Sequence, residues 1–243
     1  QQVISPQINE ATIRLLNRHN IEVVVPKGIG CCGSLDHHLG KNDLARETFK
    51  KNILIWYDEY LKNGLDAIIS NTSGCGTTLK DYGFIFRWDD DLKKKAKKIS
   101  ELTKDISEYL DENVKLNFIK NKENTKSYKI AYHSACSMQH GQKIHNIPMN
   151  LIKKTGNKVY DIPQGHFCCG SAGTYNLLQN NIAKKLLKNK ILNINKVNPQ
   201  FITTGNIGCI TQIANGTKIP ILHTVEVIDW YTGGPKPKVL RHL

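Results

Sequence analysis

The sequence predicts an α/β fold of two tandem repeats, each a mostly parallel sheet flanked by helices, with cysteines at the carboxyl ends of strands. Three observations lead there. Short β-branched runs alternate with longer amphipathic runs, the pattern of parallel sheets with crossover helices. The run Gly30-Cys31-Cys32-Gly33-Ser34 returns as Cys168-Cys169-Gly170-Ser171, and Gly74-Cys75 returns as Gly208-Cys209, so the chain reads as an internal duplication. Each of these cysteines follows closely on a predicted strand, where open α/β sheets place their sites.

The elements follow in order. Ile8 to His19 carries apolar residues at Ile8, Ala11, Ile13, Leu15 and Leu16 and predicts a helix. Ile21-Glu22-Val23-Val24-Val25 is β-branched, ends at Pro26 and predicts a strand leading to Cys31. Asp43 to Lys62 predicts a helix stopped by Gly64. Ala67 to Ser70 predicts the strand before Cys75, with one or two helical turns over Thr77 to Tyr82 and a short strand at Phe84 to Phe86. Asp89-Asp90-Asp91 opens a helix whose apolar face runs from Leu92 through Ala96, Ile99, Leu102 and Ile106 to Tyr109. Lys120 to Ser127 is polar and reads as a linker.

The second half predicts strands at Tyr128 to Tyr132, Lys158 to Tyr160, Phe201 to Thr203 and Ile219 to Leu222. Helices are expected over Lys143 to Lys154, over Ile182 to Ile194 with Leu186, Leu187, Ile191 and Ile194 inward, and over Val225 to Tyr231. The expected division is residues 1–91 for the first repeat, 92–127 for a helical connector and linker, and 128–243 for the second repeat and a basic tail. The first repeat's counterpart of Tyr128 to Cys136 would lie upstream of Gln1. The expectation is therefore of a fragment, cut just after that leading strand and cysteine.

With 243 residues the chain can bury a substantial core. No apolar run approaches the ~20 residues of a membrane helix. The net charge of +13 comes from scattered lysines, and no nucleic-acid motif accompanies them. A solvated basic surface is expected, without specific nucleic-acid binding. Seven cysteines, an odd count in a chain this long, argue against a disulfide framework and for a reducing compartment.

A complete unit supplies four thiolates: one after the first strand, an adjacent pair after the second, one after the third. In the second repeat these are Cys136, Cys168, Cys169 and Cys209. The first repeat retains Cys31, Cys32 and Cys75. Neighbouring side chains diverge, so both thiolates of a pair reach one centre only if the backbone bends, and the glycine that follows allows positive φ. Four soft sulfur ligands suit an iron–sulfur cluster, and also zinc. Zinc more often uses Cys-x-x-Cys knuckles, which are absent here, whereas an adjacent pair can serve two irons. Unliganded buried cysteine, and a metal-free redox pair at Cys168 and Cys169, are the other readings.

Three stretches carry a family resemblance: Tyr132-His133-Ser134-Ala135-Cys136, then His166-Phe167-Cys168-Cys169-Gly170-Ser171-Ala172-Gly173-Thr174-Tyr175, then Thr204-Gly205-Asn206-Ile207-Gly208-Cys209. They resemble the cysteine-rich CCG domain, and most closely that of the glycolate oxidase (glycolate dehydrogenase) iron–sulfur subunit family. Ser73-Gly74-Cys75-Gly76 and Lys80-Asp81-Tyr82-Gly83 resemble that family too. Related domains occur in lactate-utilisation proteins and in the cysteine-rich subunit of heterodisulfide reductase, which holds non-cubane clusters.

The resemblance implies an electron-transfer subunit of an oxidoreductase complex, with no catalytic residue of its own. Cys136, Cys168, Cys169 and Cys209 would hold an iron–sulfur cluster, expected as [4Fe–4S], and Cys31, Cys32 and Cys75 would be metal ligands or the remains of a second site. The resemblance further implies FAD on a partner, flavin-containing oxidase subunits as partners, a quinone-type acceptor and a cytoplasmic location peripheral to the inner membrane. The family's ferredoxin-like part has no counterpart in this chain. Thr72 and Asn206 stand where the common family pattern has a further cysteine. His133 and His166 flank the second site as candidate hydrogen-bond donors to a cluster or proton carriers, against the plainer reading of histidines satisfied by backbone carbonyls.

Overall fold

In the computed structural model, which describes residues 1–119 and 126–243, every strand pairing is parallel. The described residues fall into two compact units. One comprises residues 23–105, the other residues 1–22 and 106–243. The expected divisions at 91 and 127 concern the repeats in sequence, whereas the compact units are cut at 22 and 105. Most of the expected linker lies outside the described residues.

The smaller unit holds two strands, β1 (Ile68–Ser70) and β2 (Thr103–Asp105), paired with Ile68 opposite Thr103 and Ser70 opposite Asp105. Helices Asn42–Asn63, Ser73–Ile85 and Lys93–Leu102 close its core around Phe49, Ile53, Tyr82, Phe86 and Ile99. Phe49 sits at its centre, with ring centroids 4.7 Å from Tyr82 and 6.4 Å from Phe86.

Three expectations fail in this unit or at its edge, each for a local reason. Ile21 to Val25 forms no strand. β-branched residues favour a pleated surface only where a neighbour completes it; no strand pairs with this run, and Val25 is exposed. Phe84 to Phe86 continues the helix Ser73–Ile85 and its cap, since a short apolar run fits either period. The helix expected from Asp89 to Tyr109 is broken by β2. Thr103 turns extended at φ −76°, ψ 124°, and its hydroxyl donates to the Ile99 carbonyl at 2.8 Å, satisfying one helix end. A second helix, Ile106–Asn113, then starts in the larger unit. The three-residue strand preserves the apolar spacing, so the periodicity runs on across the break.

The larger unit contains four strands: β3 (Lys129–Tyr132), β4 (Lys158–Asp161), β5 (Phe201–Thr204) and β6 (Ile221–His223), in the order β4-β3-β5-β6. Alternate residues face opposite sides. Ile130, Tyr132, Phe201 and Leu222 pack with Met149 and Ile152 of helix Asn146–Lys154 and with Val227 and Trp230 of helix Thr224–Tyr231. Ala131 and Ile202 pack on the other face with Ile194 and Val197 of helix Asn180–Val197 and Ile213 of helix Ile207–Ala214. Both faces are covered, as a parallel sheet requires. The chain leaves β3 to one side for β4, then crosses to the other side for β5. The carboxyl ends of β3 and β5 therefore flank the topological switch point, where such sheets open a crevice.

The N-terminal helix Gln7–Arg18 belongs to this larger unit. Ile8, Ala11, Leu15 and Leu16 are buried, and two arginines fasten it to helix Thr224–Tyr231. Arg14 donates to Asp229 Oδ2 at 2.7 and 3.1 Å, and Arg18 to Asp229 Oδ1 at 2.9 Å. Asp229 is 1% exposed, so both charges answer a carboxylate removed from water. Asp229→Ala is expected to lower the stability of this unit by about 2 kcal/mol, less than for a fully buried pair because both guanidinium groups keep some access to water. Urea denaturation followed by tryptophan fluorescence, which reports buried Trp230, measures it.

Candidate metal centre

The two Cys-Cys-Gly motifs are bent as the sequence predicts. Gly33 has φ 76° and Gly170 φ 94°. A Cβ on Gly33 would lie 2.6 Å from the Phe49 ring, and one on Gly170 would lie 2.5 Å from the Ala183 carbonyl oxygen. Conformation and space both require glycine at each place.

In the smaller unit, side chains hold both carbonyls of the cysteine pair. Asn52 Nδ2 donates to the Cys31 oxygen at 2.8 Å, and the Tyr82 hydroxyl to the Cys32 oxygen at 2.8 Å. Cys75 lies in the first turn of helix Ser73–Ile85, directly after β1. The Cys32 and Cys75 sulfurs are 2.9 Å apart. That contact pushes the Cys32 thiol up and pulls the Cys75 thiol down. Cys31 is exposed.

In the larger unit, Cys136 follows β3, the pair Cys168 and Cys169 follows β4, and Cys209 follows β5 in the first turn of helix Ile207–Ala214. The Cys169 and Cys209 sulfurs lie within 4.8 Å of one another, and Cys168 and Cys136 stand on the neighbouring loops at the same edge of the sheet. Cys169 and Cys209 are buried, Cys168 is half-buried and Cys136 is exposed. The site has a dry inner pair and an outer pair facing solvent.

Backbone donors are aimed at these sulfurs. The Gly170 N–H donates to Cys168 Sγ at 3.2 Å. The Ser171 N–H serves Cys169, and Ser34 does the same for Cys32 in the other motif. The Cys168 hydrogen bond to Cys136 holds the Cys168 thiol far down, and Cys209 is pulled down to about 6, first by Cys169 and then by the nearby His133. Cys136 and Cys169 are pushed up in return, chiefly by their bonds to Cys168. A metal bound here would displace the thiol protons that remain.

The two flanking histidines differ. His133 is 2% exposed, neither ring nitrogen has an oxygen or nitrogen partner, and its ligand atom lies within 4.8 Å of the Cys169 and Cys209 sulfurs, which lie equally close to one another. His166 is exposed and packs on the Phe167 ring at 4.4 Å. Asn206 caps its helix, its Oδ1 accepting the Cys209 N–H at 3.1 Å. The position that departs from the common cysteine pattern thereby orients the cysteine three residues on. Gly205 and Gly208 sit in close packing, against Met138 and Ser171 respectively.

Sequence reasoning misses Lys190. It is 2% exposed on helix Asn180–Val197, and its Nζ donates to the Gly165 carbonyl at 3.3 Å. Its signal is present, because Ala183, Lys190, Ile194 and Val197 form one helical stripe, and that stripe is the buried one. Leu186, Leu187 and Ile191, expected inward, are not fully buried, and Ile194 alone of that set is enclosed.

With this geometry, the chain belongs to the cysteine-rich CCG domain family, whose model matches residues 1–80 and 130–214. Among curated proteins it is 35% identical to the glycolate oxidase iron-sulfur subunit of Escherichia coli strain K12, over 94% of this chain and 55% of that protein. It is 29% identical to the probable glycolate oxidase iron-sulfur subunit of Bacillus subtilis strain 168, over 86% of this chain and 46% of that protein. It is also 25% identical to lactate utilization protein A of Geobacillus sp. strain WCH70, over 90% of this chain and 91% of that protein. The chain spans about half the length of the glycolate oxidase subunits it matches.

Gly170→Ala is expected to destabilise the larger unit by about 2 kcal/mol, through the positive φ and the Ala183 carbonyl together. Thermal unfolding followed by circular dichroism checks it, with Gly165→Ala, outside the positive-φ region, as the milder comparison.

Proposed function

We propose that the larger unit carries an iron–sulfur cluster on Cys136, Cys168, Cys169 and Cys209, and that the chain is the electron-transferring part of a 2-hydroxy-acid oxidase complex. The observation that supports this reading is that Cys169, Cys209 and His133 bring their ligand atoms within 4.8 Å of one another, with Cys136 and Cys168 on loops leaving the same edge of the sheet. The donors fit the group. They are soft, the inner two are dry, backbone N–H groups point at them, and a buried imidazole stands beside them with no oxygen or nitrogen partner. An iron–sulfur cluster supplies one-electron storage and release at a potential tuned by hydrogen bonds and solvent exposure.

This chain's residues then have distinct tasks. Cys169 and Cys209 anchor the buried side. Cys136 and Cys168 present the outer side, toward solvent and an electron-exchanging partner. His133 places a ring N–H against the sulfurs, which favours the more negative, reduced state. Oxidation of glycolate takes place on a flavin-bearing partner subunit with FAD, and the electrons continue toward a quinone-type acceptor. The 35% identity to an iron-sulfur subunit of glycolate oxidase supports glycolate as the upstream substrate. The match to lactate utilization protein A over nearly that protein's whole length favours lactate as the second reading. Among the described residues no helix is long and apolar enough to cross a membrane. A cytoplasmic place peripheral to the inner membrane belongs to the same reading. In the smaller unit, Cys31, Cys32 and Cys75 are the remains of a second such site.

Anaerobic reconstitution with iron and sulfide tests the reading. The expected result is a brown protein with stoichiometric iron and acid-labile sulfide. Cys169→Ser and Cys209→Ser are each expected to lose at least tenfold in bound iron, and Cys31→Ser to keep it. A colourless protein that retains zinc, or iron retained equally by the Cys209→Ser variant, overturns it.

A further inference from the structure

We propose that Lys190 is the fixed counter-charge of the thiolate centre and raises the reduction potential of the cluster held there. This rests on the reading above, in which Cys136, Cys168, Cys169 and Cys209 hold that cluster.

Lysine side chains ordinarily lay their stems along apolar surface and keep the ammonium in water. Lys190 does not, being enclosed on the inward stripe of helix Asn180–Val197. Its hydrogen bond goes to a neutral acceptor, the Gly165 carbonyl, at 3.3 Å. Among the described residues no carboxylate pairs with it. An isolated buried ammonium is strongly unfavourable, so Lys190 in its charged form needs opposite charge close by. Burial pulls its proton affinity down, and the opposing influences are Cys169, Cys209, Cys168 and Cys136. The stripe that carries Lys190 packs on the centre at both ends: a Cβ on Gly170 would meet the Ala183 carbonyl at 2.5 Å, and Ile194 and Val197 share one buried cluster with Cys169 and Cys209.

The cation is also held in place. The Gly165 carbonyl accepts a second hydrogen bond, from Gln139 Nε2 at 3.3 Å, and Gln139 donates to the Ser134 carbonyl at 2.7 Å. The loop after β3, the loop before Cys168 and Lys190 thereby share one joint. An electron added to the centre arrives beside a positive charge that stays put. Coulomb attraction in a poorly solvated site then stabilises the reduced form more than the oxidised form.

The test compares the chain with its Lys190→Gln, Lys190→Met and Lys190→Arg variants, all reconstituted anaerobically, by iron content and by a redox titration followed by electron paramagnetic resonance. Lys190→Gln keeps a donor for Gly165 and removes the charge. It is expected to retain iron while its one-electron equilibrium moves at least tenfold toward the oxidised form, about 59 mV more negative. Lys190→Met should shift the same way, and Lys190→Arg should stay within threefold of the parent. Loss of the cluster in Gln and Met with retention in Arg equally supports a need for charge. An unchanged midpoint in Lys190→Gln overturns the inference, as does an Arg variant that shifts or loses iron as Gln does, since the role would then be shape. If the unmodified chain takes up no iron and sulfide, the cluster reading itself fails, a result distinct from all of these.

Discussion

The register of β3 against its two neighbours governs the larger unit. Tyr132 lies opposite Asp161 on one side and Thr203 on the other, so three strands end at nearly the same height. Parallel pairing sends all three loops out of one edge. Residues far apart in sequence, at 136, 168 and 209, leave the sheet at one edge because the backbone ladders are in step. A slip of one residue would exchange the two faces of the strand and separate those loops. The core serves the same end: clusters on both faces of the sheet clamp β3 and β5, whose ends flank the switch point.

The two Cys-Cys-Gly motifs solve one problem by different supports. Each needs a left-handed glycine so that adjacent side chains stop diverging. In the smaller unit Asn52 and Tyr82 hold the pair by its carbonyls. In the larger unit the turn at Gly170 is pressed against the Ala183 carbonyl. The signature thus marks a backbone shape, and the surroundings decide how many sulfurs gather on it.

Much of this is legible in the sequence because the duplication announces itself twice, in the cysteine spacing and in the order of strands and helices. The second half reads most faithfully, since Tyr128 to Tyr132 and Phe201 to Thr203 are strongly β-branched or aromatic and closely bounded. What stays hidden depends on partners outside the local window. Thr103 to Asp105 becomes a strand only because Ile68 to Ser70 lies beside it. Ile21 to Val25 has the right residues and no neighbour. Lys190 escapes notice because lysine normally marks the wet face of a helix, and the leucines beside it make the more obvious inward set.

The uneven burial of the four sulfurs carries a consequence for durability. A group bound by them would be shielded at buried Cys169 and Cys209 and open at exposed Cys136. Attack by oxygen or a chelator has one face to work on, so a cluster seated here would erode from its rim inward, leaving a smaller remnant on the sheltered pair before the protein emptied.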